Sequence, residues 1–215
     1  MTDYADTRVE GIAPRTTAAA SPPAVADAVA LRRGRPVGWW GMLMLIASES
    51  TLFGCLVGTY FYFRFESHTW PPPGIPAPSL GTPIVLALVL AASALPLRLA
   101  TRAARSARVA GAWLLVALAL LVQAGYLAYA IHDFRDHLGS FTPQTNAYGS
   151  IYYVLLGAAH AHVAVGLLLS AWLLLKLSRG LTTYRLNALD AIAFYWYAVI
   201  VLTFVVTATI LSARI

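Results

Sequence analysis

The chain has 215 residues, of which 59% are hydrophobic and 11% charged, whereas soluble domains carry about a quarter charged residues. That composition excludes an ordinary soluble domain and predicts an all-α integral membrane protein. The formal charge is +6, but the basic residues sort by membrane side rather than into a patch, so no nucleic-acid partner is expected.

Residues 1–36 are rich in Ala, Thr, Pro and Arg and lack an apolar core followed by a cleavage site. They read as a disordered basic N-terminal tail and not as a secretory signal, with at most a short amphipathic stretch at Ala24–Leu31. Residues 37–215 form the transmembrane domain. Five apolar segments follow in order: Gly38–Phe63, Thr82–Ala100, Val109–Ile131, Ser150–Leu175 and Leu189–Leu211. Each is about 19 to 26 residues long, enough for a helix to cross a hydrocarbon core of about 30 Å. In the second, Pro83 fits a helix start and Pro96 is expected to kink the last turn.

Alternate connections carry the positive charge. Arg8, Arg15, Arg32, Arg33 and Arg35 lie in the tail, Arg98, Arg102, Arg105 and Arg108 in the second connection, and Lys176, Arg179 and Arg185 in the fourth. The opposite side holds only Arg64, Arg135 and Arg214. The positive-inside rule then predicts the N-terminus inside and the C-terminus outside. Trp39, Trp40, Tyr60, Tyr62, Tyr148, Tyr152 and Tyr153 sit near span ends, where aromatic rings anchor at the interface. The segment "SHTWPPPGIPAPSLGTP" falls outside and is too rich in proline for a helix, so a rigid, extended loop is expected. There is no internal repeat of the kind that marks an inverted-repeat transporter.

Two groups inside the spans are costly unless partnered: Glu49 in "LIASESTLFGCLVG", and the histidines His160 and His162 in "GAAHAHVAVG". Residues two apart on a helix diverge by about 200°, so the two histidines cannot chelate one metal together. His68, His132 and His137 fall in or beside the outer connections, and Met42 and Met44 sit at the inner end of the first span. The single cysteine, Cys55, leaves no intrachain disulfide and no cysteine cluster for zinc, copper or an iron–sulfur centre. No haem or copper ligand set is therefore expected in this chain. Counting from opposite faces, Glu49 and His162 both reach the bilayer middle. They are expected to form a buried polar pair, with Ser48 or Ser50 assisting; the alternative is a neutral Glu49 bonded to backbone or a hydroxyl, a packing group only. Gly54 and Gly58 form a small-xxx-small pair that permits close helix approach.

Taken in order, several motifs resemble subunit III of the haem–copper terminal oxidases. "SEST.F" at Ser48–Phe53 looks like that family's buried-Glu segment. "WPPPGI" at Trp70–Ile75 resembles its loop, and "SLGTPIVLALVLAASA" at Ser79–Ala94 its following helix. "GAAHAHVAVG" at Gly157–Gly166 is similar to its "G-x-HG-x-HV-x-x-G", and "FYWYAVIVLTFVV" at Phe194–Val206 to its last helix. The matching positions are Glu49, Trp70, Pro71, Pro72, Gly74, Thr82, Gly157, His162 and Gly166. The family's first histidine falls on Ala159 and its neighbouring glycine on His160. The His and Asp of its last helix fall on Tyr197 and Ile200, so roles that need those residues are not transferred.

The resemblance implies a divergent five-helix form that lacks the first two helices of the seven-helix members and so supplies one wall of their lipid cleft. It implies a subunit without a redox centre, not catalytic by itself. Such a subunit packs beside oxidase subunits I and II, which hold the haem and copper. It binds phospholipid and sustains proton uptake by subunit I, in the inner (plasma) membrane of a bacterium. His160 would meet a neighbouring helix, lipid or subunit I, and Gly54 and Gly58 would face an interface or lipid. Two other readings stand beside it: a subunit-III-like accessory protein of a nitric oxide reductase, and a small transporter or proton relay using Glu49 and His162.

Overall fold

Inside hydrocarbon every backbone N–H and C=O must be satisfied within the chain, and a continuous helix does this segment by segment. The computed structural model describes residues 36–214; the expectations for the tail lie outside the described residues. The elements are α1 (Val37–Glu66), α2 (Gly81–Ala92), α3 (Ala94–Arg105), α4 (Val109–Leu138), α5 (Ala147–Leu177) and α6 (Thr183–Leu211), closed by a 3₁₀ turn at Ser212–Arg214. No strand occurs among the described residues. With α2 and α3 forming one span, five helices are long and apolar enough to cross a membrane. The chain is an all-α integral membrane protein.

The helices outrun the apolar segments at their polar ends, where capping rather than hydropathy sets the boundary. α6 begins at Thr183, well before Leu189, because the Thr182 hydroxyl accepts the Arg185 N–H at 3.3 Å. α5 begins at Ala147 because the Asn146 side chain accepts the Gly149 N–H at 2.8 Å. At the other end of α5, the Arg185 guanidinium donates to the Arg179 and Gly180 carbonyls at 2.9 and 2.6 Å.

The second span is interrupted earlier than expected. Helix α2 stops at Ala92 and α3 resumes at Ala94. Pro96 has no N–H for the Ala92 carbonyl, so the break lies ahead of the proline and not in the last turn; α3 then runs on to Arg105. Ser93 fills the joint. Its hydroxyl donates to the Leu90 carbonyl at 2.7 Å and accepts from the Gln123 side-chain nitrogen at 3.1 Å.

Helix α6 is the centre of the bundle, touching α1, α2, α3 and α5. It fits closely against α5. A Cβ on Gly166 would lie 2.7 Å from a ring carbon of Trp196, and the Trp196 indole N–H donates to the Ser170 hydroxyl at 2.8 Å. Gly166 and Ser170 thus form a small-xxx-small groove that seats the fully buried Trp196. Among the described residues nothing lies within 4 Å of a Cβ added at Gly54 or Gly58, so none of the described helices uses that pair.

A second, aromatic cluster closes the end of the bundle that carries the Pro-rich loop. Trp70 stacks edge-on between Tyr60 of α1 and Tyr148 of α5, with ring centroids 5.4 and 5.0 Å away. Phe141 packs on Tyr148, Tyr152 and Tyr153. Tyr60, Tyr148, Tyr152 and Tyr153 are therefore buried, not interfacial anchors as their sequence position suggests; Trp40 and Tyr62 do stay exposed. The loop is held by a tight turn, Ile75 N–H to Pro72 C=O at 3.2 Å. Gly74 adopts φ +90° at the third position of that turn, a conformation that L side chains avoid.

Two substitutions test these contacts. Gly166→Val should displace Trp196 and cost about 1–3 kcal/mol, read as a lower unfolding temperature with a red-shifted tryptophan emission. Gly74→Ala should cost about 1–2 kcal/mol, whereas Pro73→Ala in the same turn, whose ordinary φ suits alanine, should cost less.

Candidate functional site

A polar contact between two ionisable side chains joins α1 to α5. His162 Nε2 lies 2.9 Å from Glu49 Oε2, and the two side chains are 17% and 29% exposed. His162 Nδ1 is 2.7 Å from the Ala158 carbonyl of its own helix. A carbonyl can only accept, so Nδ1 carries a hydrogen. That fixes the chemistry at Nε2. With neutral imidazole, Nε2 is an acceptor and Glu49 must be the protonated donor. With imidazolium, Nε2–H donates to the carboxylate. In both states one proton lies between the two residues and the pair is neutral overall. A neutral pair is the least costly form of two ionisable groups in hydrocarbon.

The pair is built into its surroundings. Phe53 of α1 meets the His162 ring edge-on at 5.2 Å, and the Tyr195 hydroxyl of α6 donates to the His162 backbone carbonyl at 2.9 Å. Both imidazole nitrogens are committed, one to Ala158 and one to Glu49, so neither is free to ligate a haem or copper. Among the described residues no group of three His, Cys, Asp or Glu side chains is placed to hold a metal.

Ser48 and Ser50 do not assist. Their hydroxyls donate to the Leu45 and Ile46 carbonyls at 2.8 and 2.7 Å. Both flank Glu49 by one residue and so leave the helix on other faces.

The sequence model of the family described as "Cytochrome c oxidase subunit III" matches residues 28–211. The chain belongs to the cytochrome c oxidase subunit III family. It is 26% identical over 198 residues to cytochrome c oxidase subunit 3 of Bacillus subtilis (strain 168), covering 90% of this chain and 94% of that one. It is 28% identical over 178 residues to the probable cytochrome c oxidase subunit 3 of Nocardia farcinica, covering 81% and 87%. Against cytochrome c oxidase subunit 3 of Struthio camelus it is 28% identical over 167 residues, 74% of this chain but 63% of that longer protein.

The subunit III motif positions fall at two levels. Glu49, His162 and Gly166 form the interior contact of α1, α5 and α6 described above. Trp70, Pro71, Pro72 and Gly74 form the loop clamp, and Thr82 lies in the first turn of α2. Among the described residues nothing lies within 4 Å of a Cβ added at Gly157, so their packing does not require a glycine there. Where the family pattern departs, Tyr197 is 38% exposed on α6 while Ile200 is buried. His160 is not turned toward lipid. It is half-buried, with its ring 6.0 Å from Phe134 and 6.4 Å from Tyr126 of α4.

Sequence reasoning missed Gln123, which is fully buried with its side-chain oxygen unpaired among the described residues. It is a lone polar residue in the apolar run "LLVQAGY", and the rule that singled out Glu49 applies to it equally. Tyr195 carried no such signal, because its hydroxyl meets a backbone carbonyl that no side-chain pattern reveals.

Replacing Glu49 tests the shared proton. Glu49→Leu strands His162 Nε2 and should lower bundle stability by about 1–2 kcal/mol. Glu49→Gln can still donate an amide N–H to Nε2 and should recover most of that loss in the same thermal unfolding measurement. Equal losses in both variants would remove the hydrogen-bonding account.

Proposed function

We propose that this chain is the non-redox subunit III of a respiratory haem–copper oxidase in a bacterial plasma membrane. The observation that carries the reading is the family match across residues 28–211. The commitment of both His162 nitrogens supports the non-redox part, since it leaves this imidazole no ligand position to offer. In this reading the haem and copper reside in subunits I and II, against which the bundle packs, and the oxidase reduces oxygen in aerobic electron transport. The arginine-rich connections face inside and the Trp70–Pro78 loop faces outside. Five helices form one wall of a lipid-binding cleft, and the subunit sustains proton uptake by subunit I. The oxidase names carried by the family and by the relatives above do not favour an accessory role in a nitric oxide reductase.

The test is an affinity purification of the full-length protein in mild detergent, with a reduced-minus-oxidised spectrum and protein identification on the same sample. Haem bands together with a large catalytic subunit and a copper-binding subunit are the expected result. A nitric oxide reductase partner would replace the reading with the accessory role, and a colourless, solitary protein would return attention to a transporter. In the same preparation Glu49→Leu should leave the haem bands intact while reducing the yield of this subunit in the complex. Loss of a haem band would show that the pair does more than hold α1.

A further inference from the structure

His160 poses a problem that the Glu49–His162 pair does not solve. It sits two residues from His162 on the same helix, at the same depth, and points away from it. Its ring contacts are aromatic edges, and neither ring nitrogen has a hydrogen-bond partner among the described residues. An imidazole left dry and unpaired at this depth is costly. Relief lies beside it. A cavity of about 50 Å³ runs between α2, α4, α5 and α6, with His160, Tyr126 and Thr203 deep in it and Asp133, Tyr152 and Thr207 nearer the loop end. That is room for a few water molecules, and the lining supplies the several polar partners that each water needs.

The electrostatics of the lining select what else can enter. Asp133 is the one carboxylate on the wall, and the other polar groups are hydroxyls and the imidazole. Among the described residues no Lys or Arg lines it. His137, one turn on from Asp133 in α4, has its Nδ1 2.7 Å from the Asp133 carbonyl and 3.6 Å from its carboxylate. Elements α2 and α6 contribute only apolar side chains and the two threonines. Oxygen acceptors and a carboxylate in a half-enclosed site favour small cations over anions.

We propose that this cavity is a hydrated site open to the loop end of the bundle, which admits water and small cations, hydronium included, as far as His160. The site is distinct from the Glu49–His162 pair, which lies on the opposite side of α5, and does not depend on the oxidase reading.

Cysteine accessibility tests it, in the full-length chain within its co-purified complex in nanodiscs, with Cys55→Ala as background. Thiols react as thiolates, and each unit of pKa elevation in an apolar setting removes about tenfold of the thiolate. His160→Cys should therefore be blocked by silver ion at least about tenfold faster than Ala161→Cys, its exposed neighbour on the same helix. If His160→Cys does not assemble, Thr203→Cys on the facing wall reads the same depth. Thr207→Cys should prefer a trimethylammonium methanethiosulfonate over the sulfonate reagent, each rate normalised to Gln144→Cys in the exposed loop. Silver rates equal to that of Ala161→Cys would overturn the hydrated site, and equal normalised rates for the two reagents would overturn its preference for cations.

Discussion

One proton shared between Glu49 and His162 fixes where α1 sits. Among the described elements α1 touches only α5 and α6, and most of its surface faces outward. Lipid tails are as apolar as the helix face they would replace, so apolar burial gives α1 little reason to choose one azimuth over another. A hydrogen bond that must be made, because both of its members are ionisable and deep, supplies that reason. The aromatic clamp at Trp70 fixes the far end of the same helix. Together they define its rotation and its height against α5.

Helix α5 distributes three tasks by angle. His162, Gly166 and Ser170 recur every four residues and so line one stripe. His162 reaches α1, while Gly166 and Ser170 admit the Trp196 indole of α6. The Tyr195 hydroxyl bonds the His162 carbonyl, so α1, α5 and α6 meet around a single turn. His160, about 200° away, leaves the opposite side toward α4. The same residue type is thereby given two environments: one is closed by specific partners at both nitrogens, and the other borders a cavity.

Depth was legible in the sequence and azimuth was not. Counting residues from each membrane face placed Glu49 and His162 at one level, and their residue types did the rest. The five spans followed from hydropathy alone. Helix ends were misjudged where a cap such as Thr182 extends a helix beyond its apolar run. The small-xxx-small pattern occurs at Gly54/Gly58 and at Gly166/Ser170, and among the described helices only the second finds an occupant; nothing in the local sequence separates them. The tyrosines near the loop end have the composition of an interfacial belt. Trp70 and Phe141 turn several of them into a packed cluster, and that depends on how the loops fold back. Gln123 interrupts its apolar run as Glu49 does, but a neutral amide carries no charge to set it apart.

The outward face of α1 shows how far residue polarity can mislead in a membrane. Ser48, Ser50, Thr51 and Thr59 are all exposed and look like a polar stripe. Each hydroxyl donates to a carbonyl one turn back, at 2.7 to 3.0 Å. The helix thus satisfies these groups itself. What remains on that face is methyl and methylene surface, the bare backbone of Gly54 and Gly58, and the Cys55 thiol. Such a face can meet hydrocarbon without leaving a polar group unpaired. Glu49 has no equivalent escape, since a carboxyl cannot discharge its need on a carbonyl while it is ionised. Between Ser48 and Thr59 the helix therefore carries four hydroxyl side chains that require nothing from a neighbour and one carboxyl that requires His162, and that asymmetry turns Glu49 toward α5.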